Sequence, residues 1–132
     1  MIILLLLSFI FYSSSFSYYE KSLLNGVYTS IENDLTDISL LLKIDTENIN
    51  IKESVYTKKQ AGFILQKFFK EYGLKKILNE DRISENGSSL LIEKYNGKDK
   101  KREKEVTIKF FYYHNKENNK DKIFKLIIQQ IE

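Results

Sequence analysis

One segment near the middle of the chain carries a complete set of helix signals. Residues 57–60, Thr-Lys-Lys-Gln, fit a capping box: Thr57 can accept from the Gln60 amide while the Gln60 side chain returns to the Thr57 amide. Gly73 suits the left-handed position just after a helix end. One apolar stripe runs along the segment and consists of Ala61, Ile64, Leu65, Phe68 and Tyr72. This pattern predicts a helix over 57–72 that packs one side against a flat partner.

The runs that follow predict this flat partner. They read "KKILNEDRIS", "SSLLIEKYN", "EVTIKFFYYHN" and "KIFKLIIQQIE". Turn-forming residues separate them at 85–87, at Asn96-Gly97 with the charged run to Lys104, and at 117–121, which predicts an antiparallel meander of four strands. In the third run one face is the better core candidate, because the other carries Lys109. The predicted core face holds Val106, Ile108, Phe110, Tyr112 and His114, and the opposite face holds Thr107, Lys109, Phe111 and Tyr113.

Helical spacing dominates the chain before the capped segment. Apolar residues recur every three or four positions from Tyr19 to Leu42, with a break at Asn33-Asp34, so we expect helices over 19–32 and 36–42. The stretch "NINIKES" alternates and predicts a short strand. Helices first and strands afterwards predict an α+β domain over 18–132, with N-terminal helices packed on an antiparallel sheet of four to five strands.

The first 17 residues differ from the rest of the chain. An apolar run from Ile2 to Tyr12 is too short to span the roughly 30 Å core of a bilayer. Ser15 and Ser17 offer small residues at the −3 and −1 positions of a cleavage site. We therefore expect a signal peptide over 1–17 and export to the periplasm or cell envelope. The alternatives are an uncleaved segment, which would be the membrane contact of the protein, and a buried first helix.

Composition restricts the chemistry. The sequence contains no Cys, which excludes disulfides, thiol catalysis and Cys-ligated zinc. The net charge of +3 is small, so nucleic-acid binding is not expected. The single histidine argues against a zinc site, because such sites combine several ligands. Neither a Gly-rich phosphate loop nor a nucleophile elbow occurs. We expect no metal and no other cofactor.

A few polar side chains are candidates for acid–base catalysis. An isomerase needs a carboxylate base and proton donors, for which Asp45, Tyr112 and His114 are the candidates. His114 precedes Asn115-Lys116 at the end of a predicted strand. A solvated strand-end histidine is the favoured interpretation there, ahead of a catalytic one.

Aromatic and charged residues suggest surfaces for a ligand or a partner. Phe111 and Tyr113 would lie on the outer sheet face, which favours a dimer interface or a second layer over ligand stacking. Phe63 and Phe69 lie off the centre of the helical stripe and could line a ligand-binding mouth or contact a partner. The charged run 97–106 is interpreted as a solvated hairpin tip, ahead of a lipid or polysaccharide patch.

The order of these elements resembles a family of Bacteroidota envelope proteins, the domain-of-unknown-function family forty-seven eighty-three. The resemblance covers residues 30–132 and is strongest in the helix motif, which here consists of Tyr56, Thr57, Lys58, Gln60, Ala61, Ile64, Leu65, Phe68 and Phe69. It implies a cone-like fold of the nuclear-transport-factor-two-like, or cystatin-like, kind, in which helices pack in the concavity of a curved antiparallel sheet. That superfold includes ketosteroid isomerases and dehydratases, but a shared fold does not transfer catalytic residues.

These observations lead to one hypothesis of function with two alternatives. We expect an exported, non-enzymatic domain that binds a small apolar ligand or an envelope protein through its cone or its sheet face, and that could pair as a homodimer through the sheet. The first alternative is an isomerase- or dehydratase-like enzyme with acid–base residues in the cone pocket. The second is a lipid or polysaccharide binder that uses Lys98, Lys100, Lys101 and Arg102.

Overall fold

A six-stranded mixed sheet forms the framework of the protein, which we describe from a computed structural model over residues 18–131. The predicted signal peptide lies outside these residues. The helices are α1 (Tyr18–Leu24), α2 (Thr29–Asp34) and α3 (Lys58–Glu71). The strands are β1 (Leu40–Asp45), β2 (Asn50–Tyr56), β3 (Tyr72–Glu85), β4 (Ser88–Asp99), β5 (Lys104–Glu117) and β6 (Lys120–Ile131). Their order in the sheet is β2-β1-β6-β5-β4-β3.

Strands β3 to β6 form the predicted antiparallel meander, but the expectation of a purely antiparallel sheet of four to five strands was wrong. Strand β1 pairs with β2 antiparallel and with β6 parallel, so that Leu42 lies opposite Leu126. The predicted helix over 36–42 was also wrong. Leu40, Leu42 and Ile44 alternate and are all buried, which is the pattern of a strand with one face in the core.

The predicted helix over 19–32 is interrupted at Gly26. This residue has a φ of 72°, which glycine adopts without steric cost. The Gly26 amide donates to the Leu23 carbonyl and the Val27 amide donates to the Ser22 carbonyl, a Schellman arrangement that ends α1. The predicted break at Asn33-Asp34 coincides with the end of α2, where Leu35 takes an extended conformation.

Helix α3 follows its sequence signals closely at its start and along its face. The capping box is confirmed, with the Gln60 amide 3.1 Å from the Thr57 hydroxyl and the Thr57 amide 3.0 Å from the Gln60 side chain. Its stripe is buried at Ala61, Leu65, Phe68 and Tyr72 and partly buried at Ile64. The prediction that Gly73 takes a left-handed conformation was wrong, because the chain passes through an extended Tyr72 directly into β3.

The hairpin turns agree with two of the three predicted positions. Asn86 and Gly87 have positive φ angles between β3 and β4, and Asn118 and Asn119 have positive φ angles between β5 and β6. Asn96-Gly97, in contrast, lies inside β4, and the third turn lies at 100–103. A Cβ at Gly97 would approach the Gly73 carbonyl oxygen to 2.7 Å, so this glycine permits close strand contact and does not form a turn.

The three helices cover one face of the sheet, and the core lies between the helices and the sheet. The predicted core face of β5 is confirmed, since Val106, Ile108, Phe110, Tyr112 and His114 are all buried. We call this helix-covered side the inner face and the opposite side the outer face. Each large apolar side chain buried in this way contributes about 1.5–3 kcal/mol. Within residues 18–131, no helix has the length and apolar character needed to cross a membrane.

Candidate functional site on the inner face of the sheet

A carboxyl group lies buried in the middle of the inner face. Glu93 has no exposed surface and shares the inner side of β4 with Leu91 and Tyr95. In the sheet register it lies opposite Phe110 on β5 and opposite Glu80 on β3. An ionisable side chain at such a position is costly to bury and therefore marks a site that merits a functional explanation.

The hydrogen bonds of this carboxyl are incomplete. The Tyr95 hydroxyl donates to Glu93 Oε1 over 2.9 Å. The buried hydroxyl of Tyr112 also interacts with this carboxyl, although the contact falls short of a well-formed hydrogen bond. Within residues 18–131, Glu93 Oε2 is buried and makes no well-formed hydrogen bond.

Burial changes the proton affinity of these groups. It raises the pKa of Glu93 to about 7, against the opposing effect of the Tyr112 and Tyr95 hydroxyls. It also raises the pKa values of Tyr95 and Tyr112 well above their usual range. At neutral pH the carboxyl therefore exchanges between its neutral and ionised forms, while both tyrosines keep their protons. A carboxyl that titrates near neutrality is suited to general acid–base catalysis.

A second polar cluster adjoins the first at the end of β5. The Tyr19 hydroxyl donates to Asp34 Oδ2 over 2.6 Å and lies 2.9 Å from His114 Nε2. His114 is 6% exposed, so the prediction that it is a solvated strand-end histidine was wrong. Burial lowers the pKa of His114, and Asp34 and Asp121 oppose that shift.

Stacked aromatic rings join the two clusters. The ring of Tyr19 stacks on Tyr112 with a centroid distance of 4.5 Å. Tyr112 in turn stacks on Phe110 at 5.9 Å, and Tyr95 meets Phe110 edge-on at 5.6 Å. The polar atoms of the inner face therefore lie in an aromatic surround, as is usual for sites that bind small organic molecules.

The predicted catalytic residues do not come together. Tyr112 and His114 lie on the inner face, whereas Asp45 lies on the outer face. Asp45 lines an outer cavity of about 150 Å³ that is also lined by Lys43, Phe111, Tyr113, Ile127 and Gln129. Within residues 18–131, no three His, Asp or Glu side chains are arranged to hold a metal ion.

The proposed ligand or partner residues fall in three different places. Phe63 is 61% exposed on α3. Phe69 is buried and stacks on Tyr28 at a centroid distance of 5.7 Å, so it belongs to the core. Phe111 and Tyr113 are half-buried on the outer face.

Sequence reasoning missed Glu93 and Glu80. The signal for Glu93 was present in "SSLLIEKYN", where period-two alternation places it on the same face as Leu91 and Tyr95. No comparable signal existed for Glu80, because irregularities in the pairing of β3 shift its alternation.

Solved structures identify the class of fold. A ketosteroid isomerase-like protein from Erwinia carotovora atroseptica matches with a TM-score of 0.64 and 10% identity, over 87% of this chain and 89% of that chain. An NTF2-like protein from Cytophaga hutchinsonii matches with a TM-score of 0.58 and 13% identity, over 87% of this chain and 91% of that chain. At these identities the likeness concerns the fold alone. The protein has an α+β fold of the NTF2-like class.

A comparison with family models gives a narrower assignment than the fold class. The family model described as Domain of unknown function (DUF4783) matches residues 25–129. The crystal structure of a DUF4783 family protein from Bacteroides ovatus matches with a TM-score of 0.65 and 16% identity, over 81% of this chain and 86% of that chain. None of the curated proteins matches this chain in sequence. The chain belongs to the DUF4783 family, which confirms the resemblance inferred from the helix motif.

Proposed function

We propose that this protein binds a small, mostly apolar molecule on the inner face of its sheet and that Glu93 and Tyr112 make its polar contacts. One observation carries the proposal. Glu93 is a fully buried carboxyl that interacts with the hydroxyls of Tyr95 and Tyr112 inside an aromatic surround. A few polar groups within an apolar and aromatic lining are the usual composition of a site for a small organic molecule.

A fluorescence titration tests this proposal. The neutral apolar dye N-phenyl-1-naphthylamine becomes brighter when it enters an apolar site. We expect saturable binding of one dye per chain to the wild-type protein. Tyr112→Trp, which fills the inner face, should weaken binding, whereas Tyr113→Trp on the opposite face of β5 should not. No saturable binding to the wild type, or equal loss in both variants, would contradict the proposal.

A second candidate function is acid–base catalysis at the same place. The observation that favours it is the pKa of about 7 for a carboxyl that accepts a hydrogen bond from Tyr95. Such a group could remove a proton next to a carbonyl. In deuterated water at neutral pH, the exchange of the α-protons of cyclohexanone should then be faster with the wild type than with Glu93→Gln. If the wild type and Glu93→Gln give equal exchange rates, Glu93 does not act as a base and ligand binding remains the proposed function.

A further inference from the structure

Two cavities lie side by side on the outer face of the sheet. The cavity of about 150 Å³ beside Asp45 takes its lining from β1, β5 and β6. The other cavity, of about 380 Å³, takes its lining from β3, β4, β5 and β6 and from the turn between β3 and β4. Tyr113 lines both of them. We call the two cavities together the outer groove, which crosses the sheet from β1 to β3.

Aromatic and aliphatic side chains form the floor of the outer groove. Ile83, Leu90 and Tyr113 lie directly opposite one another on three neighbouring strands and therefore share one face. The ring of Phe124 lies 6.3 Å from that of Tyr113, at an angle of 58°. Phe111 precedes Tyr113 by two residues and points to the same face. The helices cover only the inner face, so the three aromatic rings are half-buried and keep accessible surface for a ligand.

Polar side chains surround this floor at both ends. Within residues 18–131, none of them makes a side-chain hydrogen bond or an ion pair with another residue. Carboxylates accept, ammonium groups donate, and amides and hydroxyls do both, so the groove offers donors and acceptors together. These side chains are Lys43, Asp45 and Gln129 at one end and Glu85, Asn86, Ser88 and Ser89 at the other.

The charges along the outer groove do not favour an ionic ligand. Lys43 and Asp45 have opposite signs at one end. Lys125 Nζ lies 5.2 Å from the centroid of the Tyr113 ring and is paired with Glu53 over 3.3 Å. A single exposed carboxylate, such as the one at the other end, attracts a cation only weakly in water.

A neutral saccharide matches this combination of groups. Each sugar hydroxyl donates and accepts, so a ring of hydroxyls can bond to carboxylates, amides and ammonium groups at the same time. The C–H face of a pyranose ring is apolar and packs flat against an aromatic ring. An apolar floor with a few polar groups at its margin is also the usual composition of a ligand site.

We propose that the outer groove binds a neutral oligosaccharide, whose C–H faces pack on Phe111, Tyr113 and Phe124 and whose hydroxyls bond to the polar side chains at the two ends. This site is separate from the inner face, so it does not depend on the function proposed there. The outer face is also where we expect two copies of the chain to pair. A glycan and a second copy would therefore compete for Tyr113.

Isothermal titration calorimetry on dilute protein tests the proposal. The probes are cellopentaose, maltopentaose and chitopentaose, which are neutral and differ in linkage or substituents. We expect saturable binding of at least one of them to the wild type. Tyr113→Ala should weaken that binding roughly tenfold, because it removes the ring shared by both cavities. Phe63→Ala, which removes an exposed ring on α3, is the matched control and should bind like the wild type.

An exposed amide gives a variant that does not endanger the fold. Gln129→Ala removes a groove amide without other side-chain bonds and should weaken binding several-fold, whereas Gln66→Ala on α3 should not. In proton NMR spectra, sugar C–H signals should move upfield with the wild type, because ring currents act on protons above an aromatic face, and this shift should shrink in Tyr113→Ala.

Two results would overturn the glycan site. The first is that none of the three glycans binds the wild type, which would leave a second copy as the occupant of the outer groove. The second is that Tyr113→Ala and Gln129→Ala bind as tightly as their controls. Neither result bears on the inner face, whose ligand is tested separately with the dye.

Discussion

The Tyr19 hydroxyl lies 2.9 Å from Nε2 of His114, although 95 positions separate the two residues in the chain. This contact ties α1 to the far end of β5, and the bond from Tyr19 to Asp34 ties both to α2. The helices on the inner face are therefore held at this end by buried polar contacts as well as by apolar packing.

Removing the Tyr19 hydroxyl should destabilise the fold. Tyr19→Phe keeps the stacked ring but removes the hydroxyl that contacts both Asp34 and His114. We expect a loss of about 1–3 kcal/mol in the free energy of unfolding, measured by urea denaturation. Tyr113→Phe, which removes a half-buried hydroxyl on the outer face, should change it by less than about 0.5 kcal/mol. Equal effects would mean that the buried contact contributes nothing.

Glu93 should make stability depend on pH in a defined direction. Its pKa rises from 4.5 to about 7 on folding, so the folded state holds more protons between these values. The stabilisation from the neutral carboxyl is therefore lost as the pH rises from 4.5 to 7, by about 3 kcal/mol in total. Glu93→Gln does not titrate and keeps an acceptor for Tyr95, so it should gain stability relative to the wild type by this amount over that window.

The difference in stability between the wild type and Glu93→Gln isolates the contribution of Glu93. His114 has a lowered pKa and works in the opposite direction, since its contribution is lost as the pH falls below about 6.5. It is present in both proteins and cancels in the difference. Denaturation curves at several pH values measure that difference, and a constant value from pH 4.5 to 7 would rule out a carboxyl with a raised pKa.

The buried stripe of α3 should contribute strongly to the free energy of unfolding. Phe68 is fully buried and contacts Phe110 edge-on at a centroid distance of 5.7 Å. Phe68→Ala should therefore cost about 3–5 kcal/mol in chemical denaturation. Phe63→Ala on the exposed side of the same helix is the control and should stay within about 0.5 kcal/mol. A loss under about 1 kcal/mol for Phe68→Ala would mean that the packed face is wrongly assigned.

The outer face should mediate pairing of two copies. Half-buried apolar side chains lie there side by side, and they include Leu90, Ile92, Phe111, Tyr113, Phe124 and Ile127. Sedimentation velocity over a range of concentrations should detect a dimer that Phe111→Glu weakens and Phe63→Glu does not. A monomer at every concentration would contradict the expected homodimer.

The predicted signal peptide over residues 1–17 should direct the export of a fused reporter. Joined to alkaline phosphatase, which is active only outside the cytoplasm, this segment should give an active and cleaved reporter in a Gram-negative host. Replacing Leu4, Leu5 and Leu6 with charged residues should abolish that activity, because an apolar run is required for export. Cytoplasmic retention of the unchanged fusion would contradict the predicted signal peptide.

Local signals were sufficient for the parts of the fold that local interactions determine. The capping box of Thr57 and Gln60 lies within one turn of helix, and the core face of β5 follows from strict alternation. Both predictions needed no knowledge of distant residues. The same holds for the turns at Asn86-Gly87 and Asn118-Asn119, whose residue types favour positive φ angles.

Tertiary contacts determine the parts that were mispredicted. The apolar run at Leu40 to Ile44 is compatible with either a helix or a buried strand, and the strand forms because it pairs with β6. Since that strand was not expected, Asp45 could not be assigned to the outer face. The candidate site was only partly accessible from sequence for a similar reason. Alternation places Glu93 inside, but its relation to Glu80 and Tyr112 depends on three strands meeting in register.

The parallel pairing of β1 with β6 has a consequence for biosynthesis. A chain emerging from the ribosome can form the β1–β2 hairpin early, yet one edge of β1 stays unpaired until β6 has been made. Contacts between segments so far apart in sequence slow folding, and an open strand edge invites association with other chains. The sheet thus stays incomplete until β6 has been made, and a chaperone that shields β1 during this period would have its greatest effect on yield.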